Sequence, residues 1–137
     1  QVTYFVPLIA AMAGSIGIQS SSIVVRGLAT GAIGTGDLIF RVWRELRVGF
    51  LLGIACSIVL GMMTFLLTWN LGMAVITSVA LLIVLCFAAM VGSAVPILLE
   101  QVNIDPAIAI GPFITSMNDL IGVWIYLTIA FQVDVWL

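Results

Sequence analysis

Asp119 is the residue best placed to do chemistry in this chain, being the only acid deep inside a long apolar run. Counted from Pro106 at the helical rise, it lies about 20 Å along that run, near the middle of a bilayer. An ionised carboxylate there costs about 2.5–3.5 kcal/mol on insertion scales. It therefore either serves positive ions or stays neutral and bonds to a neighbouring helix, and its surroundings favour the first. Gly111, Thr115, Asp119, Gly122 and Tyr126 recur at steps of four, four, three and four, which gathers small and polar groups on one helical face. Phe113, Leu120 and Trp124 fall elsewhere, where lipid or packing suits them. Gly111-Pro112 interrupts the helix. Pro112 has no N–H, so the Ile108 carbonyl loses its usual donor, and such carbonyls inside a membrane line a cavity or meet protein.

The other candidate groups lie in the first apolar run, which Pro7, Gly14 and Gly17 break up. Ala10, Gly14, Gly17 and Ser21 form a small-residue stripe that permits close helix approach, with Ser15, Gln19, Ser22 and Arg26 as a polar stripe beside it. Small stripes alone signify packing. Next to a second interrupted helix bearing an acid, they fit a site built from two broken spans. Its donors are carboxylate, hydroxyl, side-chain amide and backbone carbonyl, hard oxygen ligands suited to magnesium, calcium or manganese. The chain has no histidine, which excludes an ordinary imidazole site for zinc or copper. One Asp per chain is meagre for a divalent ion, but a twofold dimer would bring two Asp119 side chains to one axis. If the ion keeps its water shell, the carboxylates sit about 4.5–5 Å from it.

The elements that must position these groups are membrane helices. Apolar residues fill 64% of 137 positions and charged ones only 7%, too few to cover a soluble domain. Mean hydropathy is +1.35. The apolar stretches are continuous rather than alternating, which selects helices over a barrel. Four reach spanning length: about Tyr4 to Val25, Val48 to Thr68, Met73 to Leu99 and Pro106 to Val133. Trp69-Asn70-Leu71-Gly72 reads as a hairpin between the second and third, and Gly92 and Pro96 as the inner end of the third. Tyr4, Trp69 and Trp136 sit near run ends, as interfacial aromatics do. The expected fold is an all-α membrane protein, one bundle of four transmembrane helices over residues 1–137.

All four arginines, Arg26, Arg41, Arg44 and Arg47, lie in or beside the loop joining the first two spans, which the positive-inside bias places in the cytoplasm. Both chain ends and the Trp69 hairpin then face outward, and an outward start suggests an upstream span. Asp37 to Arg47 reads as a short interfacial helix, with Asp37 as N-cap and its arginines toward anionic headgroups, or equally as a helical lead-in to the second span. Arg41 and Glu45 are spaced as an i, i+4 pair. Cys56 and Cys86 read as packing residues. The start of the chain has no basic region or cleavage site of a signal peptide. No basic cluster suits nucleic acid, and the net charge is −2.

Several segments together resemble the MgtE family of magnesium channels and transporters: Pro7 through Arg26 with Gly14, Gly17 and Gln19, the run Val24-Val25-Arg26-Gly27-Leu28-Ala29, Val95-Pro96-Ile97-Leu98-Leu99, Ile104-Asp105-Pro106-Ala107, Gly111-Pro112-Phe113, and Asp119 followed by Gly122 and Ile125-Tyr126-Leu127. The resemblance implies a homodimer in the cell membrane that conducts Mg2+ inward along the dimer axis. It implies a five-span pore domain, of which this chain would carry the last four spans, with cytoplasmic regulatory domains outside it. It assigns the central ion-site acid to Asp119, the backbone one turn earlier to Thr115, and the first-span motif to Gly14. Where family members commonly read Gly-Gly-Asn, this chain reads Ala13-Gly14-Ser15, and Gly111 stands where some have Asn. The site thus holds fewer amides, and Mn2+, Co2+ or Ca2+ could pass or block.

Two other readings remain. A secondary transporter of a small solute, coupled to protons or sodium through Asp119, would use the same broken helices. A non-transporting scaffold would leave Asp119 without a purpose. An enzyme is the weakest reading, because no nucleophile–base pair or metal-ligand cluster is present.

Overall fold

Long apolar runs closed by Gly, Asn and Pro fold as helices in the computed structural model, which describes residues 2–34, 36 and 38–134. The helices are α1 (Val6–Ala29), α2 (Leu38–Thr68), α3 (Leu71–Gln101) and α4 (Pro112–Asp134), with short 3-10 turns at Val2–Phe5 and Pro106–Ala109. Each α-helix contains a stretch long and apolar enough to cross a membrane. The all-helical four-span bundle expected from the sequence is therefore what forms.

α3 is the axle. It packs against all three other helices, and Leu81, Val84, Leu85, Ala88 and Ala89 along it are fully buried. Lipid offers no hydrophobic drive between helices, so close approach and interhelical hydrogen bonds do the work. Gly49, Gly53 and Gly61 supply that approach on α2: a Cβ on Gly49 would fall 2.6 Å from the Ala89 Cβ, and one on Gly53 2.7 Å from Leu82 Cδ1. The Thr77 hydroxyl meets that of Thr64 at 3.2 Å across the same seam. On the other side of α3, Gly92 meets Gly17 of α1 so closely that a Cβ there would lie 2.5 Å from the Gly17 carbonyl oxygen.

The α2–α3 connection is tighter than the expected four-residue hairpin. α2 ends at Thr68 and α3 begins at Leu71. Trp69 takes a left-handed φ of 52°, and the Asn70 side chain caps α3 by accepting the Met73 N–H at 3.1 Å. At the far end α3 runs through Pro96, which is buried, to Gln101, so Gly92 and Pro96 do not end it.

Two expectations about the first half need correcting. α1 is one continuous helix from Val6 to Ala29, with Pro7 in its first turn, where the missing N–H costs nothing. The glycines there serve close approach and do not break the span. Of the two readings of the segment before the second span, the helical lead-in is the one that forms and the separate interfacial helix does not: from Leu38 onward it is the first turns of α2. At 31 residues α2 is about 46 Å long and exceeds the hydrocarbon thickness. Asp37, its expected N-cap, and Trp136 lie outside the described residues.

The polar face of that lead-in points into the bundle. Arg41 and Glu45 are 8% and 4% exposed and pair at 3.0 Å. The Ser20 hydroxyl of α1 donates to Glu45 at 3.1 Å. Arg44 and Arg47 stay exposed. A buried pair held by a third group ties α2 to α1, and losing one partner would strand a charge.

These contacts set a prediction. Gly92→Ala drives a methyl into the Gly17 backbone, which cannot rotate away, and is expected to lower stability by about 1–3 kcal/mol in thermal unfolding of the detergent-solubilised protein. Gly53→Ala meets only the tip of Leu82 and is expected to lower it less.

Candidate ion site between α1 and α4

α4 owes its start to Gly111. That glycine has φ +90°, a backbone state that side chains rarely allow, and Ile110 before it is extended. The chain breaks here fully, so Pro112 opens a new helix instead of kinking an old one. The break expected at Gly111-Pro112 is present, and it leaves Asp119 about 10 Å into α4. Upstream, the Asp105 side chain accepts the Ala107 N–H at 2.8 Å and so caps the 3-10 turn at Pro106–Ala109. The Gly111 carbonyl accepts the Thr115 N–H at 3.1 Å and the Thr115 hydroxyl at 3.0 Å.

That last bond orients the site. With its hydroxyl donated to Gly111, Thr115 turns its methyl toward α1. A Cβ built on Gly14 would stand 3.2 Å from Thr115 Cγ2 and 3.2 Å from Asp119 Oδ1. Gly14, Thr115 and Asp119 thus come together across an antiparallel α1–α4 contact, and the bare Gly14 backbone makes room for the carboxylate. Asp119 is half-buried. Its Oδ1 is buried with no hydrogen-bond partner among the described residues. Ser15 does not join this cluster; it lies on the exposed flank of α1 with Gln19.

Gly122 and Tyr126 continue the same α4 face into the bundle. Tyr126 is fully buried, and a Cβ on Gly122 would lie 3.1 Å from Val84 of α3 and 3.4 Å from Ala13 of α1. Phe113, Leu120 and Trp124 are 55%, 74% and 69% exposed, as the helical spacing required.

Sequence reasoning missed Asn118. This side chain is fully buried, both of its polar atoms lack a partner among the described residues, and its amide nitrogen occupies the space over Gly17 where a Cβ would be. Its signal was plain in retrospect: an amide inside an apolar run, next to the acid. Among the described residues no group of three or more His, Cys, Asp or Glu side chains gathers in a single chain.

The sequence profile of the MgtE family, described as divalent cation transporters, matches residues 6–129. The chain belongs to the MgtE family. Gly14, Thr115, Asn118 and Asp119 all fall within the matched MgtE region. Among curated relatives, the magnesium transporter MgtE of Bacillus subtilis is 31% identical over 129 residues, covering 94% of this chain and 29% of that protein. The magnesium transporter MgtE of Thermus thermophilus is 33% identical over 134 residues, covering 94% and 28%. That of Enterococcus faecalis is 32% identical over 126 residues, covering 92% and 28%. The chain spans less than a third of the length of these MgtE relatives. Such a family is one of transporters and not of enzymes.

An unpartnered buried amide costs about 1–3 kcal/mol. Asn118→Leu keeps the branching at Cγ and removes the unmet groups, so stability in detergent is expected to equal or exceed that of the parent. A loss of several kcal/mol in thermal unfolding would mean that the amide is satisfied.

Proposed function

We propose that this chain is the membrane-spanning pore of a magnesium transport protein, working as a homodimer, with the ion held between the Asp119 carboxylates of both protomers. The carrying observation is the Asp119 Oδ1 atom, buried over bare Gly14 without a partner among the described residues. In a medium of low dielectric two such carboxylates near one axis repel, and a dication between them relieves the repulsion. Magnesium sheds water reluctantly, so it keeps its inner shell and the carboxylates hold it through water, about 4.5–5 Å away. The Thr115 backbone, one turn earlier on α4, adds oxygen to the same site. Manganese, cobalt and calcium meet the same donors and compete.

The magnesium transport named for the relatives supports this reading, as does the family's divalent-cation description. The arginine-bearing end of α2 lies on the cytoplasmic side of the cell membrane, and regulatory domains lie in the further length that the relatives possess. Grooves described on the outer surface, at Ile58–Val79, Leu8–Met63 and Trp43–Leu51, are not lined by Asp119, so they offer no solute pocket beside the acid.

Asp119→Asn keeps the size and removes the charge. Magnesium uptake into liposomes carrying the assembled protein is expected to fall at least about tenfold, with dimer assembly intact by crosslinking; one lost buried charge contact amounts to more than 1.4 kcal/mol. Unchanged uptake would take Asp119 out of the ion path.

A further inference from the structure

The first three turns of α2 carry Arg41, Arg44 and Arg47, at the end of the helix where the backbone dipole disfavours cations. Arg41 is compensated by Glu45 at 3.0 Å. Arg44 and Arg47 are exposed, and among the described residues no acidic side chain pairs with either. Their positive charge is left facing outward, and it does not stand alone.

Directly beside it is an apolar groove of about 470 Å³ lined by Trp43, Leu46, Arg47, Phe50 and Leu51. The Arg47 guanidinium lies 5.5 Å over the Trp43 ring, which fixes it at the rim. Trp43, Phe50 and Leu51 are 55%, 48% and 68% exposed. Arg44, Arg47 and Leu51 recur at steps of three and four, so the charges and the apolar floor share one helix face. The groove therefore has a cationic mouth, an aromatic wall, and an apolar floor running about 6 Å further toward mid-membrane from Arg47 to Leu51.

We infer that this groove is a binding site for an anionic phospholipid, with the phosphate at Arg44 and Arg47, Trp43 beside the headgroup and glycerol, and one acyl chain along Phe50 and Leu51. The order of features matches a lipid standing in a leaflet, with its charge at the interface and its hydrocarbon inward. A free phosphate would leave the floor uncovered, and a zwitterionic lipid would bring an ammonium against the two guanidinium groups. Burial of Arg41 with Glu45 sharpens the site, because it leaves the outward charge to Arg47 at the rim and to exposed Arg44 three residues before it. The inference is independent of the ion site and survives or fails without it.

The test is quenching of Trp43 fluorescence by acyl-brominated lipids in vesicles of phosphatidylcholine carrying the full-length protein. The Trp43 signal is obtained by subtracting that of the Trp43→Phe variant. Brominated phosphatidylglycerol is expected to quench at about tenfold lower mole fraction than brominated phosphatidylcholine, and Arg44→Gln and Arg47→Gln are each expected to reduce that preference about fivefold. Arg47→Lys should keep most of it. Equal quenching by the two lipids in the parent protein would overturn the inference, as would a preference that survives the double variant. Failure of both lipids to quench Trp43 would also overturn it, since protein would then cover the groove.

Discussion

A carboxylate oxygen with no partner among the described residues, set among helices in a medium that solvates charge poorly, governs this structure. Asp119 Oδ1 needs space, and the protein supplies it within one chain. Gly14 provides the space, because any side chain there would meet the oxygen. The Thr115 hydroxyl could have donated to a neighbour but is directed instead to the Gly111 carbonyl. That carbonyl is available because Gly111 adopts a left-handed turn that ends one helix segment and lets Pro112 begin another. A break in the backbone, a missing side chain and a diverted hydroxyl thus leave one carboxylate oxygen without a partner among the described residues.

The rest of the bundle makes that arrangement rigid. α1 is held from two sides: Gly17 is wedged between the Gly92 backbone and the Asn118 side chain, and Ser20 reaches the buried Arg41–Glu45 pair. α2 shows its apolar residues outward almost everywhere and packs mainly through its glycines on α3. It separates the α1–α3–α4 core from lipid on one side. The uncovered flank of α1, with Ser15 and Gln19, is polar, which fits a surface that meets water or another protomer better than hydrocarbon.

The helices were legible because continuous apolar runs have few alternatives in a membrane. The pairing of Gly14 with Asp119 and Thr115 was legible only through family resemblance, since no periodicity in one helix says which neighbour it will meet. Pro7 and Gly17 misled because the same residue types break helices and permit close packing; Pro7 falls in a first turn, where its missing donor is harmless. The lead-in of α2 was legible as a helix, but of the arginines expected at the headgroups Arg41 turns inward. Arg41 and Glu45 read as surface charges because burial of a pair depends on Ser20, 25 residues away. Asn118 was passed over because an amide carries no net charge, although its unmet hydrogen bonds are as costly in such a setting as a weakly paired ion.

The central claim is that two copies of Asp119 converge on one hydrated dication. Locating manganese by its anomalous scattering in crystals of the assembled protein tests it most directly. A peak is expected on the twofold axis about 4.5–5 Å from both Asp119 carboxylates, with water between. A peak elsewhere, with the two Asp119 side chains far apart and each enclosed in its own protomer, would contradict it.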